Sequence, residues 1–159
     1  KLLPGCTTIV AEGMSVETES PLVVEARKSM LEFLLTNHPL DCPVCDKGGE
    51  CELQDMTFKY GAGESRFVDI KHHVPEKQFS PLVYFDAPRC ILCYRCVRVC
   101  DEGMGVNALG VGFRGVLSEI IPNQGDHLNC DECGACIDVC PVGALTSDTY
   151  RYKTRPWEM

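Results

Sequence analysis

Eleven of the twelve cysteines in this chain fall into three short segments, and each segment offers four metal donors. The three donor sets are His38, Cys42, Cys45 and Cys51; Cys90, Cys93, Cys96 and Cys100; and Cys130, Cys133, Cys136 and Cys140. Thiolate is a soft, negatively charged ligand that suits iron–sulfur clusters and zinc. The spacing therefore predicts metal centres, and only Cys6 stands outside the three sets.

The second and third sets share the spacing C-x₂-C-x₂-C-x₃-C, which is typical of ferredoxins with two [4Fe–4S] clusters. Two-residue gaps allow three thiolates of one loop to converge on one cluster, and the fourth thiolate must come from elsewhere. In that arrangement the last cysteine of each run ligates the other cluster. We therefore expect Cys140 to complete the set of Cys90, Cys93 and Cys96, and Cys100 to complete the set of Cys130, Cys133 and Cys136.

The first set combines one imidazole with three thiols. A neutral histidine in place of a thiolate leaves a cluster one charge less negative, which makes it easier to reduce, as in Rieske centres. The alternative for His38 is an ordinary surface histidine at the end of a helix. Its short distance along the chain from Cys42, Cys45 and Cys51 favours a ligand and predicts a third [4Fe–4S] cluster.

Two other uses of these cysteines are weaker. Zinc sites usually combine two C-x₂-C pairs, rather than three cysteines within seven residues plus a fourth elsewhere. Disulfides belong mainly to oxidising compartments, whereas this pattern indicates metal ligands in a reducing one. The glycines Gly110, Gly112 and Gly115 spell G-x-G-x-x-G, but the residues that follow favour a strand instead of the helix that a dinucleotide site needs. The sequence therefore predicts no nicotinamide or flavin site and no catalytic residues.

Composition restricts the partners of the protein. The net charge of −8 argues against binding to nucleic acid or to an anionic membrane surface. The sequence has no apolar run of the roughly 20 residues that a membrane-spanning helix requires. It begins without Met, and Cys6 lacks companions, so we expect an internal piece of a longer polypeptide.

The predicted elements place the donors on loops beside short helices. Ser20 and Pro21 are suited to the N-cap and first turn of a helix that runs to about Thr36, and Pro39 blocks its continuation. The cysteine runs match at an offset of 40 residues, which predicts two equivalent loop–helix units. The expected elements are hairpins over 7–18 and 106–121, a strand over 66–70, short helices over 94–101 and 135–139, and a strand from Ala144.

The two runs also differ in charge. Arg89, Arg95 and Arg98 surround the Cys90 run, whereas Asp131, Glu132 and Asp138 surround the Cys130 run. Positive neighbours stabilise an added electron and negative neighbours oppose it. We therefore expect the cluster on Cys90, Cys93, Cys96 and Cys140 to have the higher potential.

Three blocks of the sequence resemble the large iron–sulfur subunit of respiratory complex I, which is the G or 75-kDa family of NADH–quinone oxidoreductases. The blocks are HPLDCPVCDKGGECELQD, RCILCYRCVRVCDE and CPVGALTSDTYRYKTRPWEM. The resemblance implies an oxidoreductase subunit that relays electrons from NADH, through a flavoprotein partner subunit and [4Fe–4S] clusters, toward quinone. It also implies that Cys6 is the last ligand of a [2Fe–2S] centre in a preceding domain.

The resemblance further implies an α+β fold with a small His–Cys₃ cluster domain followed by a two-cluster ferredoxin-like domain. The expected units are a remnant of an upstream [2Fe–2S] domain at 1–19, the His–Cys₃ domain at 20–75, the ferredoxin-like domain at 76–150 and the start of a further domain at 151–159. Such a subunit is cytoplasmic and peripheral on the inner face of the membrane through its partner subunits.

Several members of that family lack counterparts of Cys100, Cys130, Cys133 and Cys136 and hold one cluster there, although some bacterial members retain the pair. The complete ferredoxin pair is similar to the equivalent module of NAD-linked formate dehydrogenases and NAD-reducing hydrogenases. This module in a hydrogenase or formate dehydrogenase is therefore the alternative function. A zinc-stapled interaction module and an iron–sulfur redox sensor are further alternatives, and no DNA-binding pattern accompanies the cysteines to support the sensor.

Overall fold

The computed structural model describes residues 1–158 and shows the predicted α+β fold, with one long helix, several shorter ones and two small antiparallel sheets. Met159, the last residue of the unit predicted at 151–159, lies outside the described residues. The helices are α1 (Pro21–Asn37), α2 (Glu52–Tyr60), α3 (Arg95–Arg98) and α4 (Ala135–Asp138). The strands are β1 (Lys77–Gln78), β2 (Val83–Phe85), β3 (Leu109–Gly112), β4 (Glu119–Pro122) and β5 (Leu145–Ser147).

Helix α1 begins and ends where the sequence predicts. Ser20 is its N-cap residue and Pro21 occupies the first turn, where proline's missing N–H is not needed. His38 follows the helix with φ −62° and ψ 127°, because a residue before proline disfavours the helical region. The end of α1 therefore places His38 directly before the loop that carries Cys42 and Cys45.

Helix α2 was missed by the sequence analysis, although its apolar residues recur at helical spacing. Cys51 is the N-cap residue, so the third thiol of the first donor set sits at the start of this helix. Leu53 on α2 and Leu31 on α1 are both buried in the core. Arg27 of α1 donates a hydrogen bond to the Tyr60 hydroxyl at 2.9 Å, which ties the far end of α2 to α1.

The two sheets supply the rigid centre of the cysteine-rich half. Strands β1, β2 and β5 form one antiparallel sheet, with Val83 opposite Ser147 and Phe85 opposite Leu145. Strands β3 and β4 form the predicted hairpin, with Leu109 opposite Pro122. The largest fully buried side chains are Phe79, Phe85, Leu109, Ile120, Val83 and Val142. Both cysteine runs are therefore attached to one apolar core.

The two cysteine loops repeat the same backbone. Leu92 and Tyr94 of the first run have left-handed φ values of 54° and 61°, and Glu132 and Gly134, 40 positions later, have 53° and 77°. This conformation costs little for glycine but is uncommon for other residues. Each left-handed turn leads into a four-residue helix, α3 or α4. The offset repeat predicted from spacing is therefore also a repeat in conformation.

Two of the expected elements do not form. Residues 7–18 contain the predicted turn, in which Gly13 has φ +75° and the Met14 N–H donates to the Ala11 carbonyl, but no strands flank it. Ile9 and Val10 are exposed, so this segment lacks the packed face that stabilises a hairpin. The strand expected at 66–70 is also absent from the described structure. Within residues 1–158, no helix has the length and apolar character needed to cross a membrane.

Candidate functional site

Cys90, Cys93, Cys96 and Cys140, which we call the inner centre, line one cavity. Its empty space is about 320 Å³, part of it continuous with solvent. Apart from the thiols, the walls are mainly apolar side chains of the core, including Phe85, Ile91, Ile120, Val142 and Leu145. The structure thus brings Cys140, from the second run, to the three leading cysteines of the first run.

Cys100, Cys130, Cys133 and Cys136, which we call the outer centre, line a second cavity of about 410 Å³. Its apolar walls include Val83, Met104, Val106, Leu109 and Leu128, but Asp131 and Glu132 also contribute to the lining. Cys133 is exposed, and none of the four residues is fully buried. The exchange is therefore reciprocal, since Cys100 of the first run joins the three leading cysteines of the second.

The pKa shifts of the cysteine thiols agree with these two groups of four. Burial raises the pKa of Cys90, Cys96 and Cys136 to about 12. After burial, the largest contribution to the raised pKa of Cys96 is the charge of Cys140. Cys100 is likewise among the thiols that raise the pKa of Cys136. These thiols repel one another as anions, so they favour a cationic metal centre that holds them as thiolates.

Backbone N–H groups are directed at several of the sulfur atoms. The Leu92 N–H donates to Cys90 Sγ at 3.4 Å, and the Ala108 N–H donates to Cys100 Sγ at 3.2 Å. Burial raises the pKa of Cys140, and backbone N–H groups of Val142, Leu145 and Ala144 oppose that increase. Such donors stabilise negative charge on sulfur, and hydrogen bonds to sulfur are among the factors that tune an iron–sulfur centre.

His38, Cys42, Cys45 and Cys51, which we call the histidine centre, lie around the loop between α1 and α2. Cys45 is buried, and its N–H donates to the carbonyls of Asp41 and Cys42, which closes a tight turn. Burial raises the pKa of Cys45, and the charges of Asp41 and Cys51 add to that increase. Burial lowers the pKa of His38, which favours the neutral imidazole that a metal ligand requires.

The C-terminal segment packs against the histidine centre. Arg155 donates a hydrogen bond to the Cys45 carbonyl at 2.7 Å, and the Tyr152 N–H donates to buried Asp46 at 2.9 Å. Gly49 has φ +97°, and a Cβ added there would lie 2.6 Å from the Trp157 ring. Glycine is therefore required at this position both by the backbone and by the close approach of Trp157.

The histidine centre and the inner centre share a boundary. The Glu52 N–H, one residue after Cys51, donates to the carbonyl of Pro141, one residue after Cys140, at 3.0 Å. A Cβ added to buried Gly143 would lie 2.3 Å from Cys45 Sγ, so the CPVGAL segment passes directly over that thiol. The outer centre adjoins the inner centre, because α3, which carries Cys96, packs against α4, which carries Cys136. The three donor sets are thus arranged in a series.

The donor sets fit iron–sulfur clusters. Within residues 1–158, no three His, Cys, Asp or Glu side chains converge tightly enough to hold a single ion, whereas four thiols line each of the two cavities. All twelve cysteines are free thiols. His38 Nδ1 is buried and has no hydrogen-bond partner. Soft anionic donors around apolar cavities are the ligands that iron–sulfur clusters use. Cys6 is exposed in the N-terminal segment.

Sequence reasoning missed the surroundings that support these donors. Arg89 was assigned only a general charge effect, yet its side chain is buried and pairs with Asp41 and Asp86. Buried Asp46, which anchors Tyr152, was not singled out either. Their position in the sequence could have indicated this role for two of them, since Arg89 directly precedes Cys90 and Asp41 directly precedes Cys42. The G-x-G-x-x-G segment lies in β3 and the loop before β4, as the strand-like residues after it indicated.

Two family models match the sequence, and together they cover both cysteine-rich halves. The NADH-ubiquinone oxidoreductase-G iron–sulfur binding region matches residues 27–66. The ferredoxin-like domain of NADH-quinone oxidoreductase subunit 3 matches residues 80–146. The first match contains Cys42, Cys45 and Cys51, and the second contains all eight cysteines of the two runs. The protein is therefore an iron–sulfur protein in both regions.

The chain is also similar to curated proteins along its whole length. It is 53% identical to the second G subunit of the NADH-quinone oxidoreductase of Rhizobium meliloti (strain 1021), over 100% of this chain and 19% of that protein. It is 47% identical to the NADH-ubiquinone oxidoreductase 75 kDa subunit of Reclinomonas americana, over 100% of this chain and 23% of that protein. The chain thus spans about a fifth to a quarter of the length of these relatives.

A solved structure shares the fold. The crystal structure of NAD⁺-reducing [NiFe]-hydrogenase in the H₂-reduced state contains a polypeptide that matches with a TM-score of 0.83 and 28% identity. The match covers 94% of this chain and 65% of that one. The curated names, the two family models and the arrangement of the donors agree with one another. The chain belongs to the family of NADH–quinone oxidoreductase G subunits and represents its iron–sulfur region.

Proposed function

We propose that this protein is an electron relay that holds three [4Fe–4S] clusters within an NADH–quinone oxidoreductase. The ligands would be the four donors of the histidine centre, the four of the inner centre and the four of the outer centre. The reciprocal exchange of Cys100 and Cys140 between the two runs carries this proposal, because it reproduces the ligand pattern of two-cluster ferredoxins. When bound, the clusters would supply one-electron transfer.

The protein's own residues would hold the three centres close together and keep them dry. The hydrogen bond between Glu52 and Pro141 joins the histidine and inner centres through the backbone. Apolar side chains such as Phe85 and Ile120 line the inner cavity and would limit its contact with water. Tyr152, Arg155 and Trp157 cover the loop of the histidine centre. A rigid, water-poor setting reduces the reorganisation that accompanies a change of charge.

The wider role rests on the relatives. We infer that electrons arrive from NADH through a flavoprotein partner subunit and leave toward quinone, at the inner face of the membrane. In this proposal the units at 20–75 and 76–150 carry the clusters, Cys6 ends a preceding [2Fe–2S] domain at 1–19, and 151–159 begins a further domain.

Reduction by NADH in the assembled enzyme tests this function. NADH should produce the EPR signals of reduced iron–sulfur clusters in the complete complex within one turnover. The purified chain without flavoprotein should stay oxidised with NADH but become reduced with dithionite. Reduction of the flavin-free protein by NADH would contradict the proposed role as a relay.

The similarity to the NAD⁺-reducing hydrogenase favours a second candidate, the equivalent iron–sulfur module of an NAD-linked hydrogenase. Its match covers nearly the whole fold, but the identity of 28% is well below the 53% shared with the Rhizobium meliloti relative. Hydrogen-dependent reduction of NAD⁺ by the purified assembly would favour the hydrogenase. NADH-dependent reduction of quinone would favour the first function.

A further inference from the structure

Arg89 lies between the histidine centre and the inner centre and is 3% exposed. We propose that the buried positive charge of Arg89, held between the two centres, raises the reduction potentials of both. This inference rests on the proposed function, because it requires clusters in both centres. It adds a role for a residue outside the three donor sets.

The backbone places Arg89 against both centres. It directly precedes Cys90, at the end of a short 3-10 turn over Ala87–Arg89. Asp86 caps that turn by accepting a hydrogen bond from the Arg89 N–H at 3.3 Å. The turn therefore fixes the start of the Arg89 side chain beside the first thiol of the inner centre.

The side chain then extends into the histidine centre. The guanidinium pairs with Asp41, the residue that directly precedes Cys42. A Cβ added to Gly143 would lie 3.6 Å from Arg89 Cδ and 2.3 Å from Cys45 Sγ, so the side chain passes near that thiol. The charge of Arg89 also acts on the pKa of both Cys45 and His38.

The charges around Arg89 are incompletely balanced. Asp41 and Asp86 are both within reach of the guanidinium, so the three groups together carry one net negative charge. Arg89 Nε lies 3.2 Å from Asp86 Oδ2 but forms no hydrogen bond. The guanidinium is held by a hydrogen bond to Asp41, and removing its charge would leave two neighbouring carboxylates beside the clusters.

The other arginines near the inner centre provide the contrast. Arg98 is exposed and forms an ion pair with Glu102 at 2.9 Å, and Arg95 is exposed and pairs with Glu52. Water screens exposed charges, so their effect on a cluster is small. Arg89 is the buried member of the three, and Arg98→Gln makes the same change of charge at an exposed position.

The test is an EPR-monitored redox titration of the full-length subunit in its assembled enzyme. Arg89→Gln should lower the potentials of the histidine and inner centres together. At a fixed potential the ratio of reduced to oxidised cluster should fall about tenfold in each, which is about 59 mV for a one-electron couple. Arg98→Gln should change that ratio less than about threefold, because its charge is exposed.

Two further variants separate charge from packing. Arg89→Lys keeps the charge but loses the planar fork, so the potentials should stay near those of the wild type. Arg89→Gln combined with Asp41→Asn restores the net charge and should recover most of the shift. Equal shifts in Arg89→Gln and Arg89→Lys, or no shift in either, would overturn the proposal.

If Arg89→Gln loses its clusters, a second variant still tests the proposal. Asp41→Asn alone removes a negative charge from the same group and should raise the potential of the histidine centre more than that of the inner centre. An unchanged potential in this variant would also overturn the proposal. A wild-type enzyme without iron–sulfur signals would instead contradict the proposed function, so the two failures are distinguishable.

Discussion

The inner and outer centres share one spacing of cysteines but lie in different surroundings. In the inner centre Cys96 and Cys140 are buried, whereas none of the cysteines of the outer centre is. The inner cavity has no carboxylate in its lining, and the outer cavity has Asp131 and Glu132. One motif has therefore produced a centre with two buried cysteines next to the histidine centre, and a second centre in which no cysteine is fully buried.

This difference changes the explanation for the higher potential expected of the inner centre than of the outer centre. The sequence suggested that three arginines raise the potential of the inner centre, but Arg95 and Arg98 are exposed and paired with Glu52 and Glu102. Exposed pairs contribute about 0–1 kcal/mol, which leaves Arg89, itself paired with Asp41 and Asp86, as the buried positive charge among the three arginines. The two acidic residues in the outer cavity act in the same direction by opposing reduction there. The inner centre is still predicted to have the higher potential.

The largest expected effect is on total metal content. Anaerobically reconstituted protein should contain about twelve iron atoms per chain, from three clusters of four. Iron and acid-labile sulfide analysis checks this number, with zinc measured in the same samples. About four irons per chain, or stoichiometric zinc, would show that the inner and outer centres are not a pair of clusters.

The apolar wall of the inner centre should contribute strongly to stability. Phe85 is fully buried, stacks on Phe79 with ring centroids 5.0 Å apart and lines the inner cavity. Phe85→Ala should lower the free energy of unfolding by about 3–5 kcal/mol. Leu128 lines the outer cavity and is only partly buried, so Leu128→Ala should cost less. Denaturant titration of the loaded protein compares them, and an equal or larger loss for Leu128→Ala would contradict the contrast in burial.

A smaller effect is expected from the acidic residues of the outer cavity. The double change Asp131→Asn and Glu132→Gln should raise the potential of the outer centre, because two negative charges no longer oppose reduction. Both residues are exposed, so each should contribute less than about 1 kcal/mol. Asp138→Asn, on the exposed face of α4, is the matched control. If the potential of the inner centre shifts more than that of the outer centre, these charges act mainly on the inner centre, which would contradict the prediction.

The smallest effect concerns the histidine centre in iron-free protein. Burial lowers the pKa of His38 below its ordinary value of 6.5, so the folded state binds a proton less readily than the unfolded state does. Stability from this group is complete above pH 6.5 and is lost as the pH falls below it. Denaturation at pH 5.5 and 7.5 should show this loss in the wild type and in His72→Gln, but less of it in His38→Gln. Equal pH dependence in all three proteins would remove His38 as the cause.

The ligand pattern was predictable because cluster chemistry constrains short-range spacing. Three thiols within seven residues indicate one cluster, and two such runs predict the exchange of the fourth cysteine; the cysteines that line each cavity are grouped in the same way. Helix α1 was predictable for a similar reason, since Ser20, Pro21 and Pro39 act locally on the backbone. Local rules therefore predicted the grouping of the cysteines around the two cavities and the helix that precedes His38.

The supporting structure was harder to predict because it depends on contacts between distant residues. Arginine is usually exposed, and the partner that makes burial of Arg89 possible is Asp41, 48 residues earlier in the chain. Strands β1 and β2 have only two and three residues, which is too short for a periodic pattern to identify them. Conversely, the alternation in 7–18 resembled a hairpin, but no core lies beneath it.

The exchange of ligands between the runs is tested most directly by comparing Cys140→Ser with Cys100→Ser. Each variant should lose about four of about twelve irons per chain, but from different clusters. EPR-monitored titration should show that Cys140→Ser loses or perturbs the high-potential signal of the inner centre, and that Cys100→Ser affects the low-potential signal of the outer centre. The opposite assignment, with each cysteine serving its own run, would contradict the account.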